Sequence, residues 1–373
     1  MSVDARLIAA NTKFSFKLFK EVLKQNSDKN IFISPSSVAI ALSLTYNGAR
    51  GETQENMAKT LELQRMSRHE INQANARLRV TLENLDPNVQ FSIANSIWAR
   101  EGIHFHPDFV QKSKNFYKAK VMELNFNDSS AASTINAWGK QSTNGKIDNI
   151  IDEVESDSIL FLLNATYFKG SWTTPFSKDT TQERPFTLLD GTKKQHPLMF
   201  QSGNYKYHES EKFQAISLPY GEERLSMYIF LPNQGVSLQE FYESLSAENW
   251  ESWMKQLSYQ EGSIGLPRFK FEYDIVLNDV LKSLGMGIAF DAGKANFSGM
   301  QQTPSPLYID EVKHKTFVEV NEEGTEAAAA TSVVMEKEFV VPFDMVADRP
   351  FFCTIQDNQT GTILFIGSIV EPM

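Results

Sequence analysis

Between the strand-like run Thr316 to Asn321 and the apolar run beginning at Phe351 stands a segment unlike any other in the chain. It reads Glu322-Glu323-Gly324-Thr325-Glu326-Ala327-Ala328-Ala329-Ala330-Thr331-Ser332-Val333-Val334-Met335-Glu336-Lys337-Glu338-Phe339-Val340-Val341-Pro342. Its composition favours an amphipathic helix, because consecutive Ala are the best helix formers and Thr325 can cap them. Its side-chain parity favours a strand. Thr325, Ala327, Ala329, Thr331, Val333 and Met335 are small or apolar, while Glu326, Ser332 and Glu336 fall on the alternate face. About 12 such residues at about 3.3 Å each make a strand about 40 Å long, with one face fit for a core and the other for water. Small residues at its start let it enter a crowded sheet. The same stretch therefore suits a solvent-facing loop in one state and a buried strand in another, and two packings of one sequence make a switch.

The rest of the chain has an ordinary globular balance. Its 373 residues suffice for one large domain or about two or three average ones. With 41% hydrophobic and 22% charged residues it can bury a sizeable core against its conformational entropy. The 27 Phe, in neighbourhoods such as Phe269-Lys270-Phe271 and Phe351-Phe352, point to an aromatic core. A net charge of −10 with no long basic run argues against nucleic acid, which the average field repels. The densest basic stretch, Arg65, Arg68, His69, Arg77 and Arg79, is diluted by Glu70 and Glu83 and reads as a solvated helix face. Cys353 stands alone, so no disulfide forms within the chain, which fits a reducing compartment without requiring one. Met1 to Arg6 lacks an apolar signal core, and no stretch approaches the roughly 18 apolar residues of a membrane span. For the chain as given, cytoplasmic residence is expected; a secreted form relieved of a leader has the same look.

Phe14, Leu18 and Val22, four apart between polar positions, predict an amphipathic helix near the N-terminus. Ile31-Phe32-Ile33, Ser34-Pro35-Ser36-Ser37 and the apolar Val38 to Tyr46 predict strand, turn and buried helix in succession. Strands are expected over Phe91 to Ala99, Ile159 to Phe168, Ala215 to Tyr220 and Leu225 to Leu231, the last two joined by Gly221-Glu222-Glu223. A second hairpin, Phe351 to Gln356 and Thr362 to Ile369, turns at Asp357 to Gly361. Helical patterns fill Val276 to Leu284 and several segments before residue 150. Helices cluster early and strands late, without a steady βαβ rhythm, so the class is α+β or mixed rather than doubly wound parallel.

No strong catalytic signature stands in the sequence: no G-x-S-x-G, no phosphate-binding glycine loop, no H-E-x-x-H, no C-x-x-C. His104 and His106 alternate as on a strand, yet no Cys or acidic partner stands at ligand spacing, so solvated or core histidines are the expectation and no metal. His314 reads as a structural hydrogen-bonding histidine rather than a base. The N-x-S/T triplets at Asn127, Asn164, Asn296 and Asn358 read as chance, Asn164 lying inside an apolar strand.

Asn321 to Thr331 resembles the hinge of the reactive-centre loop of inhibitory serpins. It is joined, in the family's order, by Asn30 to Ser37, Asn164 to Trp172, His314-Lys315-Thr316 and Asp348 to Phe352, so the resemblance spans essentially the whole chain. It implies one domain, residues 1–373, with three β-sheets, about eight or nine helices and an exposed loop over about 322–342. It also implies a metastable native state, covalent trapping of a serine protease (a cysteine protease being the second class of target), a monomer and no cofactor. By motif, Ser34, Ser37, Asn164 and His314 match the shutter beneath the main sheet, and Trp172 matches the breach, where Glu322 should face Arg268. Gly324, Thr325, Glu326, Ala327, Ala328, Ala329, Ala330 and Thr331 match the hinge. Some family members have lost inhibition and act as binding proteins or chaperones, typically through bulky, charged or Pro hinge residues; this hinge has none at its inward positions. The family's spacing from Glu322 puts the scissile bond at Glu338-Phe339, and the spacing back from Pro350 puts it at Phe339-Val340. The first is favoured, because the hinge side must preserve insertion length while the distal side can absorb an extra residue.

Thr325→Arg and Ala327→Pro should each turn an inhibitor into a substrate, since a charge does not enter a core unpaired and Pro removes a ladder donor. Undiminished covalent complex with either variant would contradict loop insertion. The C-terminal peptide released on cleavage should begin at Phe339 by mass spectrometry; one beginning at Val340 moves the target to the chymotrypsin class, and one at Glu338 to the trypsin class.

Overall fold

Asp4 starts the chain's first helix, its carboxylate accepting the Arg6 backbone N–H at 2.9 Å. In the computed structural model, which describes residues 3–83, 86–301, 307–324 and 342–373, this helix is α1 (Ala5–Gln25), and Phe14, Leu18 and Val22 are fully buried on one face. β1 (Ile31–Ile33) leads into α2 (Pro35–Tyr46), whose residues are buried all round, as an apolar sequence opened by Pro at the first helical turn requires. α3 (Gly51–Thr60), α4 (Arg68–Glu83), β2 (Val89–Arg100), α5 (Pro107–Tyr117), β3 (Lys120–Leu124), α6 (Ala131–Ser142) and β4 (Leu160–Gly170) complete the helix-rich half.

Strands dominate thereafter: β5 (Gln182–Thr187), β6 (Lys193–Glu209), β7 (Phe213–Tyr220) and β8 (Leu225–Pro232). The β7–β8 turn has Gly221 and Glu223 at positive φ, +52° and +66°. α7 (Leu238–Ser244) and α8 (Ala247–Gln256) interrupt before β9 (Ser258–Pro267) and β10 (Phe269–Val276). α9 (Asn278–Leu281) precedes β11 (Glu311–Val320), and β12 (Phe343–Val346), β13 (Phe351–Asp357) and β14 (Ile363–Ile369) close the chain. Nine α-helices thus lie among the described residues. The expected helical span from Val276 to Leu284 is shortened: Val276 ends a strand, and the helix after Leu281 widens and breaks at Gly285, whose φ is +110°.

The strands form a five-stranded sheet, β10-β11-β4-β2-β3, and a nine-stranded network, β1-β14-β13-β8-β7-β6-β9-β12, with β5 on β6. The implied second and third sheets are joined in this network, because β6 pairs with β7, β9 and β5 at different points along its 17 residues. The large core lies between the two sheets and carries stacked aromatics such as Phe32 on Phe365, 4.9 Å apart. A smaller cluster, Trp98, Ile135, Trp138, Phe161, Tyr167 and Phe317, packs α6 onto the other face of the five-stranded sheet. That sheet is therefore covered on both faces, which explains why β4 is mostly apolar along its whole length and buried even at Asn164 and Thr166. Among the described residues no helix is long and apolar enough to cross a membrane.

Candidate functional site

The five-stranded sheet has a seam. β11 and β4 are parallel neighbours, yet each has an antiparallel partner on its other side, β10 and β2. The β4–β11 ladder runs from Phe161–Glu311 only to Tyr167–Phe317, whereas β10–β11 pairing continues to Val320 and β2–β4 pairing to Gly170. The two strands part above Tyr167 and Phe317.

Beneath the paired part of the seam lies a row of buried polar side chains. Register sets Asn95, Asn164 and His314 side by side across β2, β4 and β11. Asn164 is the hub: its Nδ2 donates to Ser37 Oγ at 2.5 Å and Asn95 Oδ1 at 2.6 Å, and its Oδ1 accepts from His314 Nδ1 at 2.6 Å. His314 Nε2 accepts the Ser34 backbone N–H at 2.9 Å, so the ring is the neutral Nδ1–H tautomer. Thr166 Oγ1 donates to Ser37 Oγ at 2.8 Å, and Thr316 Oγ1 donates to the Phe32 carbonyl. Ser34 joins through its backbone; its hydroxyl is buried without a partner among the described residues. Complete burial pushes the His314 pKa down to about 3.

Where the strands part, the chain leaves β11 through Asn321–Gly324. Trp172 Nε1 donates to the Asn321 carbonyl at 2.9 Å, Trp172 N to Glu323 O at 3.2 Å, and Phe176 N to Glu322 O at 2.8 Å. Trp172 is stacked on Tyr220 with centroids 4.3 Å apart. Glu322 is 2% exposed and takes Arg268 Nε at 2.7 Å, a further bond from Arg268 Nη2, and the Thr181 hydroxyl. Burial alone would raise the Glu322 pKa, but the Arg268 and Thr181 hydrogen bonds outweigh it and hold the carboxyl below its usual range. Gly324 bridges Ser171 at φ +103°, and a Cβ there would fall onto the Gly170 carbonyl and the Trp172 nitrogen.

Of the residues singled out from the sequence, Ser34, Ser37, Asn164 and His314 thus form one hydrogen-bonded group, and Trp172, Arg268, Glu322 and Gly324 a second. Thr325, Glu326, Ala327, Ala328, Ala329, Ala330 and Thr331, with Glu338 and Phe339, lie outside the described residues. Sequence reasoning missed Asn95, Thr166, Lys178 and Thr181; a polar residue inside an apolar strand was the available signal for the first two. His104 is not on a strand: it follows Gly102 (φ +96°) in a turn, 3.5 Å from Glu123, and His106 precedes the first turn of α5. Among the described residues no three His, Cys, Asp or Glu side chains gather as a metal site. Both ring nitrogens of His314 are engaged, which leaves it no part as a base.

The family model described as serpin (serine protease inhibitor) matches residues 9–372. The human protein named leukocyte elastase inhibitor is 35% identical over 380 residues, covering 98% of this chain and 100% of its own length. Serpin B6 of Pongo abelii is 37% identical over 378 residues, covering 98% and 99%. Among solved structures, the thermophilic serpin tengpin in its native state is similar with a TM-score of 0.91 at 34% identity, covering 100% of this chain and 95% of that one.

The buried row predicts an acid response. An unfolded His titrates near pH 6.5, and folded His314 near pH 3. Between those values the unfolded chain binds a proton that the folded chain refuses, so stability falls as pH falls, by about 2 kcal/mol from pH 7 to pH 5. Glu322, with its pKa depressed below the usual carboxyl range, adds no loss in that window. His314→Asn should be less stable at pH 7 yet lose less on acidification. Equal pH slopes for the two proteins in urea titrations would remove His314 as the cause.

Proposed function

The chain belongs to the serpin family, and on that premise we propose that it is a covalent suicide inhibitor of a serine protease, with Glu338-Phe339 as its bait bond. The observation that carries this reading is the parallel seam between β4 and β11, open above Tyr167 and Phe317. A strand returning from the Asn321–Gly324 turn runs antiparallel to β11, and hence to β4. Insertion there exchanges one parallel ladder for two antiparallel ones, which are slightly more stable per residue. The parity of the segment after Gly324 suits that slot, with small residues leading.

The target's nucleophile attacks the Glu338 carbonyl, the amide bond to Phe339 breaks, and the departing amine takes a proton from the protease. The acyl-enzyme that remains is then in a race between hydrolysis and insertion. Insertion carries the tethered protease away and distorts its catalytic site. The inhibitor contributes no catalytic group; it contributes the free-energy difference between its two packings. In this scheme the Asn164–His314–Ser37 row and the Ser34 backbone hold the seam shut, and Arg268–Glu322 with Trp172 hold its mouth. A scissile Glu suits a protease with a cationic specificity pocket or a permissive elastase-like one; the human relative is named for leukocyte elastase. A cysteine protease is the second class of target. Residues 1–373 act as one domain and as a monomer, needing no cofactor, and cytoplasmic residence belongs to the same proposal.

Incubation with a panel of serine proteases should give a complex that survives SDS, at the summed mass of the inhibitor body and the protease. Clean cleavage with no such complex for any protease would make the chain a substrate-type serpin instead. Cleavage within the loop should also raise the thermal midpoint, because the sheet gains a strand; a nicked form melting at or below the intact one would count against insertion.

A further inference from the structure

Residues 172–181 reach the start of the loop at five points. Besides the two Trp172 bonds and the Phe176 bond, Thr181 donates to the Glu322 carboxylate and Lys178 Nζ lies 2.7 Å from Glu323 Oε1. The turn is itself fixed. Thr180 Oγ1 donates to the Phe200 carbonyl of β6 at 2.7 Å, and Ser177 Oγ accepts the Asp179 N–H at 3.3 Å. Trp172 and Glu322 are buried, whereas the Lys178 and Glu323 side chains are 68% and 37% exposed. One ion pair of the group therefore stands in water, where mobile ions screen it.

We propose that the 172–181 turn is a catch on the loop's hinge, and that Lys178 is a positioning residue whose pair with Glu323 makes strand insertion depend on ionic strength. For the chain to turn back beside β11 at Gly324, the Glu323 carbonyl must leave the Trp172 nitrogen and its carboxylate must leave Lys178. The Arg268–Glu322 pair, one residue nearer the strand, sits at the fixed base and need not break. An exposed pair is a weak bond at equilibrium. Because insertion competes with hydrolysis, a small change in its rate still appears directly in the ratio of trapped to wasted inhibitor.

This inference rests on the inhibitory reading, and the experiment separates the two. The full chain, Lys178→Met, and the charge swap Lys178→Glu with Glu323→Lys are nicked in the loop by excess of a non-target protease. Insertion is then followed by intrinsic tryptophan fluorescence and by the rise in thermal midpoint. At low salt Lys178→Met should insert about two- to fivefold faster than the wild type, as loss of one exposed pair allows. The wild type should speed up with salt until the two rates converge, and the swap should restore slow, salt-dependent insertion. A merely structural role for Lys178 does not predict that rescue. Equal rates and equal salt slopes for wild type and Lys178→Met, a swap without rescue, or a nicked wild type that never inserts would each overturn the catch. Failure of the inhibitory reading shows separately, as a wild type that inserts on nicking yet forms no SDS-stable complex.

Discussion

A parallel strand pair enclosed by antiparallel neighbours is the constraint on which the rest of this molecule depends. β4 and β11 point the same way because each is dictated by its outer partner, β2 or β10, with which it shares a longer ladder. Their own pairing is the compromise, and it stops at Tyr167 and Phe317 while both strands continue. Every polar feature of interest lies along this line: the Asn95–Asn164–His314 row under the closed part, and the Trp172, Arg268 and Glu322 contacts where the strands diverge.

On the proposed mechanism those two groups hold the seam, and they do so by different physics. The row is fully buried, so its bonds face no competition from water, and removing one partner leaves others unsatisfied at a cost of about 1–3 kcal/mol. It also demands an uncharged imidazole, which ties the integrity of the row to pH. The mouth is graded from dry to wet within three residues: the Asn321 carbonyl is met by a buried indole, Glu322 by a half-exposed Arg268, and Glu323 by an exposed Lys178. A buried carboxylate such as Glu322 is tolerable only because three donor groups meet it.

Legibility in the sequence followed burial. β4 was plain because both its faces are covered and its run is mostly apolar, broken by the buried Asn164 and Thr166. β6 and β9 were not, since much of each is exposed and polar. Asn164 illustrates how local patterns mislead: Asn164-Ala165-Thr166 spells a glycosylation triplet, yet Asn164 is 1% exposed and bonded to four side chains. Val276 reads as part of a helix because its apolar followers do, although the pairing of β10 with β11 claims it. Lys178 and Thr181 carry no local signal at all, because their partners stand 145 and 141 positions away. The α+β class and the family resemblance were available from the start; the hub role of Asn164 toward Asn95 and the contacts of the 172–181 turn required the register.

The described residues on either side of 325–341 are held at two separate places. Gly324 bridges Ser171 beside the seam, while Phe343 pairs with Gly262 in the nine-stranded network and lies flat on Tyr207, with ring centroids 3.9 Å apart. On the proposed mechanism the molecule therefore answers to scission rather than to recognition. On that mechanism any enzyme that severs the segment would discharge it, whether or not that enzyme is held. Each copy then behaves as a fuse: it registers a single event, it does not reset, and its protection scales with the number of unspent copies present. In a setting rich in indiscriminate proteases, abundance rather than affinity would limit how long such a safeguard lasts.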